Sequence, residues 1–149
     1  MEFITKLFDM DLSALVPDIA VFFGTLRAIL VLALLAGPIL LIVLAAMYLF
    51  KPAPEANFKY GFRTYFGMGS IEAWQFSQKI AGLAFGGLGA LLFLAMFIVV
   101  LTFIKKDLMQ IAGTAIVCLL IQAVLILIAR LVVAILCGVY FDKDGNRRK

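Results

Sequence analysis

The sequence predicts an all-α membrane protein with three transmembrane helices, the second and third forming a long antiparallel hairpin. Of its 149 residues 65% are hydrophobic and only 15% charged, an apolar share far above that of a water-soluble domain. The apolar side chains come in unbroken runs, not in the stripe of an amphipathic helix or the alternation of a half-buried strand. Two of those runs are joined only by Lys105-Lys106-Asp107, so short a connection that the helices it links must lie side by side.

The elements follow in order along a single membrane domain, residues 1–149. Residues 1–27 are acidic at the start (Glu2, Asp9, Asp11, Asp18), whereas a signal peptide opens on a basic region, so the segment is expected to be retained. Phe3, Ile4, Leu7 and Phe8 against Glu2, Thr5, Lys6 and Asp9 read either as a short interfacial helix or as a frayed end. Residues 28–50 and 80–104 contain no charge, and each is long enough to cross a hydrocarbon core of about 30 Å. Pro38, after Gly37, predicts a kink in the first span. Residues 108–141 form the third span, interrupted by Gln110, Gln122 and Arg130. The tail, 142–149, reads as a turn with a basic end attracted to anionic lipid; its calcium-loop likeness lacks the length and terminal glutamate required.

Lysine and arginine set the expected orientation. With three spans, Lys6, Arg27, Lys105 and Lys106 share one side, against eight basic residues in 51–79 and the tail on the other. The positive-inside rule then puts the tail in the cytoplasm and the N-terminus outside.

Several chemistries lack actors. No Asp or Glu lies within the three spans, so no carboxylate is there to relay a proton or cation, or to serve as an acid–base pair. There is no histidine, the commonest ligand of zinc and haem. Cys118 and Cys137 stand 19 residues apart on one helix, about 28 Å, far beyond disulfide reach. The expectation is a non-enzyme with no cofactor, no metal and no nucleic-acid partner.

The informative segment is 51–79, which joins the first two spans and is rich in glycine, aromatics and isolated charges. Ser70 is placed to N-cap a helix with Glu72 in its first turn, so the second helix is expected to begin near Ser70, not at Ile80. Trp74 reads as an interfacial anchor, and Arg63 as a planar fork for a carboxylate, a phosphate or carbonyls, or as a plain positive-inside charge. The string Asn57, Gly61-Phe62-Arg63-Thr64, Met68, Ser70, Glu72, Trp74, Phe76, Lys79 and Gly82 resembles the signature of the SdpI family of bacterial membrane proteins over roughly residues 52–90. Tyr65 departs from the proline or basic residue many members carry there.

The resemblance implies a multi-pass protein of the bacterial cytoplasmic membrane. It also implies immunity to a toxic peptide, signalling of that peptide to a cytoplasmic regulator, or both. The residues expected to bind the ligand or partner are Asn57, Gly61, Phe62, Arg63, Thr64, Glu72, Trp74, Gln78 and Arg130. Besides the lipid bilayer, the candidate partners are a peptide toxin, a cytoplasmic regulator, a larger membrane protein or a second copy of the chain. In the alternative reading, the chain is an accessory subunit that stabilises a larger transporter or membrane enzyme.

The hairpin fixes depth. Counting from the turn places Arg130 level with Gly82, and Gly138 level with Trp74. Arg130 then lies about 33 Å from the turn, where it either snorkels or joins a polar cluster with Gln78 and Glu72. Gly82, Gly86, Gly89 and Ala90 form a small-residue face for another helix, within the hairpin or between protomers.

Overall fold

The structure, a computed structural model, describes residues 12–56 and 59–148, with first-helix side chains described from Val21 onward. Helix α1 spans Leu12–Phe50, α2 Ile71–Thr102 and α3 Leu108–Tyr140, with short 3-10 turns at Phe66–Met68 and Phe103–Lys105. The chain is an all-α membrane protein: Val21–Phe50, Ile71–Lys105 and Leu108–Tyr140 are each long and apolar enough to span. Large apolar side chains on all three face outward, Leu32, Leu91 and Leu127 being 68%, 70% and 58% exposed. Only lipid tolerates so much apolar surface.

Helix α1 takes in residues 12–27, which the sequence sets apart as an interfacial segment. An isolated charge such as Asp18 or Arg27 ends a hydrophobic run without breaking the backbone ladder. The proposed amphipathic turn around Phe3 to Phe8 lies outside the described residues. Ser70 caps α2 as expected, its Oγ accepting from the Ala73 N–H at 3.1 Å. Asp107 does the same for α3, its carboxylate accepting from the Gln110 N–H at 2.8 Å.

The connection between α2 and α3 forces the hairpin, and Phe76 meets Tyr140 and Phe141 near its open end at ring distances of 5.2 and 5.3 Å. At the closed end, Met96 and Phe103 cluster with Ile111 and Ala115, and Leu34 of α1 joins them. The Arg27 guanidinium also donates to the Lys106 carbonyl at 2.9 Å, tying α1 to this turn.

The glycine face serves α1. A Cβ on Gly82 would meet Leu49 Cγ at 2.6 Å, one on Gly86 the Ala45 Cβ at 3.3 Å, and one on Gly89 Ile42 and Leu41 at 3.0 and 3.1 Å. The missing side chains therefore let α1 and α2 approach closely. This corrects the expectation that the face packs within the hairpin or between protomers, because α1 covers it.

One polar contact pins the middle of the bundle. Pro38 has no N–H, so the carbonyl of Leu34, one turn earlier, loses its helical donor. Gln122 of α3 supplies one: its side-chain amide donates to the Leu34 carbonyl at 3.1 Å and is 3% exposed. Gly37 makes room, since a Cβ there would sit 2.7 Å from Gln122 Oε1. Gln122→Leu is expected to cost about 0.6–2 kcal/mol of stability in thermal unfolding from detergent. The loss should shrink in a Pro38→Ala background, where the helix regains its own donor. Equal losses in both backgrounds would separate Gln122 from Pro38.

Candidate functional site

The segment between α1 and α2 is folded back onto the start of α2 by a small set of hydrogen bonds. The Tyr60 hydroxyl shares its one proton between the carbonyls of Met47 and Lys51 at the end of α1. The Trp74 indole N–H donates to the Ala53 carbonyl at 2.8 Å, and the ring is wholly buried. Trp74 is therefore no lipid-belt residue: its polar handle is used inside the protein, and the loop covers its face.

Gln78 reads the backbone of one residue in both directions. Its Oε1 accepts from the Phe62 N–H at 2.8 Å, and its Nε2 donates to the Phe62 carbonyl at 2.8 Å. A peptide unit outside any regular element thus has both polar groups satisfied where water is excluded. Gly61 makes the turn that permits this, at φ +115°, with its α-carbon against the Trp74 ring.

A second knot lies beside the first. Thr64 Oγ accepts from the Gly67 N–H at 2.9 Å and starts the Phe66–Met68 turn. Ser77 donates to the Trp74 carbonyl at 2.7 Å and accepts from Gln78 at 3.3 Å. Gly138, placed level with Trp74 by the hairpin count, packs on Phe66, since a Cβ there would lie 2.9 Å from that ring, while Trp74 turns toward Gly61.

The tail closes the same end. Asp142 caps its turn, accepting from the N–H groups of Asn146 at 2.8 Å and Asp144 at 3.0 Å. The Asn146 amide, foremost, holds the Asp142 carboxyl below its ordinary pKa. Ser70 donates to the Gly145 carbonyl at 2.7 Å, and a Cβ on Gly69 would be 2.6 Å from the Gly145 nitrogen. The tail is thus docked on the α2 cap, with Arg148 over the Phe66 ring at 5.8 Å.

With the loop held in this way, Phe62 points inward. Its ring lies 5.4 Å from Phe85 and 6.4 Å from Tyr48, both edge-on. These three aromatics floor a cleft of about 390 Å³ whose walls include Leu41, Leu44, Gly61, Arg63, Ile126 and Arg130. Arg63 and Arg130, both exposed, are the charged residues among the described ones that line it. Such a space attracts an anion that carries apolar bulk.

The expected site residues are therefore divided. Gly61, Phe62, Trp74 and Gln78 form the scaffold, Thr64 the neighbouring turn, and Arg63 with Arg130 the charged rim. Glu72 does not line the cleft: it pairs with Arg147 at 3.9 Å on the exposed surface, a contact of little energy. The expected cluster of Arg130 with Gln78 and Glu72 is not formed, because Gln78 is committed to Phe62. Asn57 lies outside the described residues. Tyr48 and Phe85 escape sequence reading because each sits in an uninterrupted apolar run, where an aromatic carries no signal.

The fold and site define a multi-span membrane protein with an interhelical loop clamped back to build a cationic cleft. Residues 55–140 match the sequence model of the SdpI/YfhL protein family, and the chain belongs to that family. The match takes in the loop motif, α2 and all of α3. No curated protein and no solved structure matches the chain.

Proposed function

We propose that this chain acts without catalysing a reaction, as a bacterial immunity or signalling protein whose activity runs through the Arg63–Arg130 cleft. The observation that carries this reading is the cleft's lining: the guanidiniums of Arg63 and Arg130 beside the aromatic and aliphatic side chains of Tyr48, Phe62, Phe85, Leu41, Leu44 and Ile126. The arrangement suits recognition of an anionic, partly apolar ligand. In this reading the protein resides in the cytoplasmic membrane with its N-terminus outside. The cleft and tail then lie on the cytoplasmic side, where a regulator has access to them.

In the competing reading, an accessory subunit of a larger membrane protein, docking would use another face, since Gly82, Gly86 and Gly89 pack against α1. Arg63→Gln and Arg130→Gln are each expected to lower about fivefold the peptide concentration that expressing cells survive, and to weaken signalling in step. Leu127→Ala, on the outward face, is the control. Wild-type protection by both arginine variants, together with a large stoichiometric partner co-purifying from native membranes, would favour the accessory role.

A further inference from the structure

The chemistry of the cleft narrows what it holds, on the reading that this is where the protein acts. Charge stands at one end only, on Arg63 of the loop and Arg130 of α3. Below them the walls are Tyr48, Leu44 and Leu41 on α1 and Ile126 on α3. Leu41 lies seven residues before Tyr48, about 10 Å deeper along the helix. Both walls belong to spans, and the side chains next to them, Leu40 and Leu127, are 59% and 58% exposed, so the cleft opens sideways toward lipid. A small soluble anion would satisfy the guanidiniums and leave this apolar length uncovered. An acidic headgroup with an acyl chain satisfies both.

We propose that the cleft is a site for one anionic phospholipid, its phosphate between the guanidiniums of Arg63 and Arg130 and an acyl chain lying along Tyr48, Leu44 and Leu41. Charge and depth agree: Arg130 lies about 33 Å along α3 from the Lys105–Asp107 turn, about one hydrocarbon thickness away, which is where a phosphate lies, and the apolar wall runs inward where the chain must go. Entry needs no opening of the bundle, because the lipid slides in from the membrane.

The test is retention of lipid by purified protein in detergent, read by native mass spectrometry with phosphatidylglycerol or phosphatidylcholine as the probe. Phosphatidylglycerol should be retained in preference to phosphatidylcholine. Retention should fall about fivefold in Arg63→Gln and again in Arg130→Gln. Leu44→Trp, which fills the groove and keeps both charges, should abolish it while helicity stays unchanged. Equal retention of the two lipids, or retention indifferent to all three substitutions, would overturn the lipid assignment. If that happened while the arginine variants still lost protection, the cleft would stand as the active site with an anionic group of the peptide as its ligand. If protection were also unaffected, both readings would fall.

Discussion

Gly61→Ala is expected to destabilise the protein by about 3 kcal/mol in thermal unfolding from detergent, more than any exposed substitution in the loop. Two costs add. At φ +115° an alanine is strained whatever the space around it. Its Cβ would also stand 2.5 Å from Trp74 Cζ2 and 2.7 Å from Cη2, with Gln78 Oε1 at 3.1 Å. The indole has no ready retreat, because it is wholly buried and its N–H is held by the Ala53 carbonyl. Gly87→Ala is the control, since a Cβ there meets nothing within 4 Å. A helical alanine at that site should be neutral or mildly stabilising. Equal melting temperatures for the two variants would mean that the loop does not turn over Trp74.

Gln78→Leu is expected to cost about 2–5 kcal/mol, because leucine preserves the bulk and leaves the Phe62 N–H and carbonyl both unpaired and buried. The partner distances of 2.8 Å on each side leave no slack for water to replace the amide. Gln78→Glu refines the test. A carboxylate still accepts from the Phe62 N–H but repels the Phe62 carbonyl, whereas the protonated acid donates to it. The variant should therefore be more stable in acid, where the side chain carries its proton, than at neutral pH. A pH-independent Gln78→Glu variant would remove Gln78 from the backbone of Phe62.

The spans, the hairpin and the Ser70 cap are legible in the sequence because each rests on local pattern: apolar run length, a three-residue connection, and a hydroxyl followed by Glu72. The motif spacing likewise marks Gly61 to Gln78 as a unit. What local pattern cannot carry is which face meets which. The indole of Trp74 reads equally well as a lipid anchor or a buried wedge until the loop is seen to fold over it. Gln122 answers a proline 84 residues earlier in the chain, and nothing near Gln122 announces the debt. The tail docks through a backbone approach between Gly69 and Gly145, a contact made by missing side chains. Arg130 draws attention as a charge near the end of a span, but its companion is Arg63 and not Glu72. That pairing depends on the inward turn of Phe62.

The central claim is that Arg63 and Arg130 share one cleft, and the most direct measurement is thiol crosslinking in native membranes. In a Cys118→Ala, Cys137→Ala background, the pair Arg63→Cys with Arg130→Cys is predicted to join efficiently through a short bifunctional maleimide. Glu72→Cys with Arg130→Cys should remain unlinked although each thiol labels singly. The reverse, a linked 72–130 pair and an unlinked 63–130 pair, would contradict the account: Arg130 would then belong to a cluster with Glu72, and the two-arginine cleft would not exist.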